Sequence, residues 1–124
     1  MLVEDYLAFR EALAFLLSHK PDLEIVAQAG SLAQAREALL ERHLDVAVVD
    51  LGLPDGDGKE LFGELRRRNP SISLVFLSAT IETGHIDELR RAGADAVLDK
   101  VASPSTIAHE VRRLRSADES PPST

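Results

Sequence analysis

The sequence predicts an α/β fold, a five-stranded parallel sheet doubly wound by five helices, and three observations carry that prediction. Short apolar runs rich in β-branched residues, Val46–Val49 and Ile72–Leu77 above all, lack polar alternation, as in strands buried on both faces. Segments with helical apolar spacing separate such runs, and the two kinds alternate along the chain with short connections. Right-handed crossovers leave parallel pairing as the way to pack that alternation. Finally, several runs stop at polar residues, as strands do at the ligand edge of an open α/β sheet.

The first strand is a stub, Met1–Val3, ending in Glu4 and Asp5. Phe9, Leu13, Leu16 and Leu17 make one stripe of a helix over Tyr6–His19, closed by Pro21. Leu23–Ala29 reads as the second strand, with Gly30 turning the chain. Ser31 and Gln34 fit a capping box, and the helix they open runs to about His43 with Leu32, Ala35, Leu39 and Leu40 for the core. Val46–Val49 is the third strand, stopping at Asp50 before a Pro/Gly/Asp turn. Leu61, Phe62 and Leu65 mark a helix ending at Arg66–Arg68, Asn69 and Pro70. Ile72–Leu77 follows as a strand with Ser78, Ala79 and Thr80 at its carboxyl end. Ile86, Leu89 and Ala92 imply a helix stopped by Gly93 at C′. Ala96–Leu98 is a short strand leading to Asp99 and Lys100. Ser103 as N-cap and Pro104 at the first helical position open a last helix carrying Ile107, Val111 and Leu114. Residues 1–115 thus form one domain, and 116–124, polar and with Pro121 and Pro122, a tail or the start of a linker.

A chain of 124 residues has room for one core. Its 44% hydrophobic and 28% charged content is that of an ordinary globular protein. No apolar stretch approaches the roughly 18 residues of a membrane span, and Met1–Asp5 has neither the basic region nor the apolar core of a secretory signal. With no cysteine, the reading is a cytoplasmic protein without disulfides or thiolate metal sites. A net charge of −7 argues against nucleic-acid binding by this chain. Arg66–Arg68 and the Arg112, Arg113, Arg115 cluster fall at helix ends, where cations complement the dipole in a solvated last turn. His19, His43, His85 and His109 are scattered, without an i,i+4 pair to hold a metal.

Along one edge of the predicted sheet, four strand ends bring together Glu4 and Asp5, Asp50, Ser78 and Lys100. Singly each has a bland reading: Asp50 a loop cap, Lys100 a surface lysine, Ser78 a loop hydroxyl, Glu4 and Asp5 a solvated first turn. Jointly they suit one anionic reaction. Three crowded carboxylates repel one another, and a hard cation such as Mg²⁺ relieves that repulsion while binding phosphoryl oxygens. A lysine and a hydroxyl complete the cradle, leaving Asp50 as an available nucleophile towards a phosphoryl group.

On these residues the chain resembles a receiver domain of the two-component response regulators, over roughly residues 1 to 115. The resemblance rests on Val48–Gly58, on Glu4-Asp5, on Leu77-Ser78-Ala79 and on Gly93–Lys100. The continuation Lys100–Pro104 is similar to the NarL/LuxR-type subfamily, whose members carry a helix-turn-helix after the receiver. The resemblance implies a flavodoxin-like receiver fold in which Asp50 takes phosphate from a histidine kinase. It further implies Mg²⁺ held by Asp5, Asp50 and the Gly52 carbonyl, and through water by Glu4, with Ser78 and Lys100 engaging the phosphoryl group. It implies a regulatory phosphoacceptor rather than an enzyme, capable of homodimerising, its transcriptional output lying in a DNA-binding domain outside this chain.

Two positions depart from that pattern. Val97 stands where the family usually has an aromatic that rotates inward, and Val101 follows Lys100 where many receivers have a cis proline. Val97 motivates an alternative, a receiver-like interaction module that works without phosphorylation. A phosphohydrolase using Asp50 is a third reading. That chemistry wants a second acid two residues on, where Gly52 stands.

Overall fold

Val46, Ala47, Val48 and Val49 present no polar face because both faces of their strand are covered. Ala47 and Val49 enter one hydrophobic cluster, Val48 the other. The computed structural model describes residues 1–40, 43–78, 83–100 and 103–119. In order these form β1 (Leu2–Val3), α1 (Leu7–Ser18), β2 (Gln28–Ala29), α2 (Leu32–Leu39), β3 (Val46–Asp50), β4 (Gly52–Leu53), β5 (Gly56–Asp57), α3 (Glu60–Arg68), β6 (Ser73–Ser78), α4 (Thr83–Arg91), β7 (Ala96–Asp99) and α5 (Pro104–Glu119). Five strands make a parallel sheet in the order β2-β1-β3-β6-β7, and β4 with β5 forms a separate antiparallel hairpin.

The period-2 alternation runs through the sheet. Leu74 and Phe76 of β6 face the cluster built with α2, α3 and α4, and Val75 and Leu77 face the cluster built with α1 and α5. Every residue of β6 is buried. Phe76 stacks on Phe62 of α3 with ring centroids 3.5 Å apart, tying that helix to the middle of the sheet. Among the described residues no helix is long and apolar enough to cross a membrane.

The helix ends follow the chemistry of their caps. Ser31 Oγ accepts from Gln34 N–H at 3.1 Å, and the Gln34 side chain reaches back to Gly30 N–H at 2.7 Å, one residue earlier than a capping box places it. Thr106 N–H donates to Ser103 Oγ at 3.2 Å, so Ser103 caps α5 ahead of Pro104. Gly93, at φ +116°, turns the chain after α4 in the conformation only glycine adopts without strain.

Four expectations need correction. The second strand shrinks from Leu23–Ala29 to Gln28–Ala29, because β1 has two residues and, beyond the bond from Leu2 N–H to the Ala27 carbonyl, offers residues 23–27 nothing to pair with. α2 ends at Leu39 rather than His43, and Leu40, assigned to the core, is 72% exposed. α5 runs past residue 115 to Glu119, into the stretch assigned to a tail. The arginine cluster in the last turn of α3 is not merely solvated. Arg66 donates to the carbonyls of Pro70, Ile72 and Gly93 at 3.3, 2.9 and 2.8 Å and lies 3.5 Å from Asp95 Oδ2, clamping α3 to the entry of β7. Ala79-Thr80, the Lys100–Val101 peptide and the chain beyond Glu119 lie outside the described residues.

Candidate functional site

The strand order reverses direction around β1: the chain goes outward to β2, then crosses back to β3 on the other side. The crevice between the carboxyl ends of β1 and β3 is therefore the topological switch point, where open α/β sheets bind ligands. Asp50 is the last residue of β3 and Glu4 follows β1, and both are buried, at 4% and 2% exposure. Asp5 beside them is exposed. Carboxylate oxygens of Glu4, Asp5 and Asp50 all lie within 4.8 Å of one another.

Lys100 enters from the far side of the sheet, one residue past β7. Its Nζ lies 2.8 Å from Glu4 Oε1 and 3.3 Å from Asp50 Oδ2, and 5.3 Å from the ring centroid of Phe9 on α1. Its backbone N–H donates to the Ser78 carbonyl at 2.9 Å, so the end of β6 holds the lysine in place. Ser78 itself is buried, in register with Asp99. Gly52 N–H donates to Asp50 Oδ1 at 3.2 Å, and a Cβ on Gly52 would meet nothing within 4 Å. All the sequence-predicted site residues thus gather at this edge. Val97 of β7 is in register with Phe76 and packs, partly buried, on the α2–α4 side.

The electrostatics are those of a crowded acidic pocket. Burial raises the pKa of Glu4 above its ordinary 4.5, helped by the Asp50 charge and opposed by the Lys100 contact and the Tyr6 N–H bond at 3.1 Å. For Lys100 burial alone would lower the pKa. The Glu4 hydrogen bond and the Asp50 and Glu4 charges outweigh it, so the ammonium titrates above 10.5. Glu4 Oε2 is buried without a donor. An all-oxygen donor set with one acceptor left over fits a hard divalent cation, so this pocket could bind a metal.

Two contributors had no local signal in the sequence. Arg10 of α1 donates to the Glu4 carbonyl at 2.8 Å, pinning the end of β1. Asp55, in the β4–β5 turn, accepts from Leu32 N–H at 2.8 Å and Ala33 N–H at 3.0 Å, anchoring the loop after Asp50 to the first turn of α2. Those bonds hold the Asp55 pKa below 3.8. A depressed carboxyl pKa contributes stability above its unfolded value and loses it as pH falls through the folded one. Asp55→Ala is therefore expected to lower the urea midpoint at neutral pH, with the gap to wild type closing as pH drops below 3.8. A gap that stays constant in acid would mean that the carboxylate charge is not what anchors the loop.

A doubly wound sheet with this acidic switch point defines a signalling receiver domain, and the chain belongs to the response regulator receiver domain family, whose model matches residues 1–112. It is 36% identical over 112 residues to the DNA-binding transcriptional activator DevR/DosR of Mycobacterium tuberculosis, covering 90% of this chain and 51% of that protein. It is 32% identical over 106 residues to the transcriptional regulatory protein UhpA of Escherichia coli, covering 86% and 53%. A LuxR-family two-component response regulator from Aurantimonas superposes with a TM-score of 0.83 at 23% identity, over 94% of this chain and 84% of that one. The pattern is of the NarL/LuxR type, and the domain is regulatory rather than a conventional enzyme. The chain spans about half the length of the curated relatives it matches.

Proposed function

We propose that this domain is the phosphoacceptor switch of a two-component system in the cytoplasm, Asp50 receiving a phosphoryl group from a histidine kinase with Mg²⁺ bound beside it. In this reading a longer parent chain carries the DNA-binding output. The observation that supports it most is the placement of Asp50: a buried carboxylate at the switch point, with two more carboxylates beside it and a lysine that contacts both Asp50 and Glu4. Glu4, Asp5, Asp50 and the Gly52 carbonyl would hold the cation. When bound, Mg²⁺ supplies charge neutralisation for the phosphoryl oxygens.

The chain's own residues do the rest. An Asp50 carboxylate oxygen forms a bond to phosphorus as the bond from phosphorus to the donor's leaving atom breaks. The Ser78 hydroxyl donates to a phosphoryl oxygen, and Lys100 exchanges its carboxylate contacts for the new charge of about −1.5 to −2. Those two movements pull on the ends of β6 and β7, from which the change spreads to the neighbouring helices.

Intact mass after incubation with acetyl phosphate tests this. Wild type is expected to gain the mass of one phosphoryl group only when Mg²⁺ is present. No gain, with Mg²⁺ binding demonstrated separately, would favour a phosphate-independent interaction module, the reading that Val97 motivates. Lys100 bears on metal binding too, because its ammonium contacts two carboxylates of the cation site. Lys100→Met is expected to bind Mg²⁺ about tenfold more tightly by titration calorimetry, equivalent to about 1.4 kcal/mol, while labelling poorly. Unchanged or weaker Mg²⁺ affinity would show that Lys100 does not compete with the cation.

A further inference from the structure

Lys100 has a long reach to make in the site. Its strand, β7, stands three places from β1 in the sheet, about 14 Å away, yet its Nζ lies 2.8 Å from Glu4 Oε1. The bond from Lys100 N–H to the Ser78 carbonyl fixes where the side chain starts. Its four methylenes make no hydrogen bonds and rotate freely, so the direction of the stem comes from what it packs against.

At the far end that partner is an aromatic ring. The Phe9 centroid lies 5.3 Å from Nζ, within the roughly 6 Å over which the face of a ring attracts an ammonium. Phe9 stands in the first turn of α1, just after β1, and so at the same edge of the sheet as the carboxylates. It heads the helical stripe that continues through Leu13 and Leu17. Those two are buried, whereas Phe9 is partly buried and packs on the α1–α5 cluster beside Leu98, two residues before Lys100. A stripe position calls only for an apolar side chain, and leucine would meet it. What leucine lacks is the ring face towards Nζ. The next residue, Arg10, donates to the Glu4 carbonyl at 2.8 Å, so consecutive residues of α1 hold both partners of the Lys100–Glu4 ion pair. Glu4 and Asp50 hold the ammonium only while their charge is not shared with a cation. The ring of Phe9 is uncharged and holds it in either state.

We infer that Phe9 is a positioning residue for Lys100: its ring keeps the ammonium at the acidic pocket, with or without a cation there, ready to engage the phosphoryl group. The inference rests on the reading of Asp50 as phosphoacceptor.

Two variants test it. Phe9→Leu keeps an apolar side chain on the stripe and removes the ring, and Phe9→Tyr keeps the ring. In the metal-free protein the ε-methylene protons of Lys100 are expected to resonate upfield in wild type and Phe9→Tyr, shielded by the ring, and to lose that displacement in Phe9→Leu. Phe9→Leu is expected to bind Mg²⁺ about threefold more tightly, since a less confined ammonium competes less. It is expected to label with acetyl phosphate about tenfold more slowly at saturating Mg²⁺, and Phe9→Tyr to restore both values. Added to Lys100→Met, Phe9→Leu should change Mg²⁺ affinity no further. Weaker Mg²⁺ binding together with slower labelling in Phe9→Leu would mean general damage to the pocket and would overturn the inference. So would a full-sized effect of Phe9→Leu in the Lys100→Met background, or identical Lys100 proton positions in wild type and Phe9→Leu. A wild type that does not label in Mg²⁺ would overturn the phosphoacceptor reading instead, because the proton positions and Mg²⁺ affinities decide what places Lys100 without any phosphoryl group.

Discussion

Asp50→Asn is expected to abolish phosphoryl transfer while leaving the fold intact and slightly more stable in Mg²⁺-free buffer. The loss is complete in principle, because an amide is no nucleophile towards phosphorus and no other carboxylate in the pocket has the same placement at the end of β3. The gain in stability follows from relieving charge. Asp50 is 4% exposed and its charge is one of the causes raising the Glu4 pKa. An acid with a raised pKa stabilises the fold below its unfolded value and loses that contribution as pH rises through the folded one, so ionised Glu4 is a cost at neutral pH. Removing the neighbouring charge lessens that cost. The amide oxygen still accepts from Gly52 N–H, and Lys100 keeps Glu4 as its partner. Mass spectrometry reads the first effect and thermal melting the second. A melting temperature well below wild type would contradict the picture of a strained acidic pocket.

Gly58→Ala is expected to be the more damaging change to the fold. A Cβ at Gly58 would overlap the Asp50 carbonyl oxygen and lie 2.8 Å from Val49 Cγ1 and 3.1 Å from the Asp50 carbonyl carbon. Two of these three atoms are main chain of a central strand and cannot swing aside. The loop must therefore lift, breaking the bond from Gly58 N–H to the Leu51 carbonyl or the one from Leu61 N–H to the Gly58 carbonyl. Overpacking of this kind costs about 3 kcal/mol, or about 10 °C in melting temperature for a domain of this size. Because the clash is with Asp50 itself, phosphoryl labelling should fall as well, even below the melting transition. Gly63→Ala is the control. Its nearest neighbour would be the end of the Arg67 side chain at 3.5 Å, so it should melt close to wild type.

How far these features were legible in the sequence depended on the range of the interactions behind them. β3 and β6 were plain because burial on both faces leaves an unbroken apolar run, and Asp50 and Lys100 stood out because polar groups follow such runs abruptly. The caps at Ser31, Gly93 and Ser103 were plain because a cap lies within a few residues of the helix it serves. β2 was overextended because residues 23–27 look like a strand whether or not a partner lies beside them. The β4–β5 hairpin was missed, since Gly52-Leu53 and Gly56-Asp57 carry no strand propensity and pair only because the loop folds back. Asp55 and Arg66 were beyond local reading. Their partners lie 22 to 23 and up to 29 residues away in the chain, so only the assembled fold brings them together.

The slightness of β1 has a consequence for the order in which the domain opens. β1 meets each neighbour over two residue pairs, whereas β3 meets β6 over five and β6 meets β7 over four. Native-state fluctuations should therefore release β1 and β2 as a unit while β3, β6 and β7 hold. Glu4 and Asp5 follow the part that opens, and Asp50 and Lys100 belong to the part that stays. Any ligand that needs both groups binds only the closed form, and so draws the opening equilibrium shut. The clearest record of such a ligand would be slowed amide exchange at Gln28 and Ala29, on a strand that contributes no atom to the site.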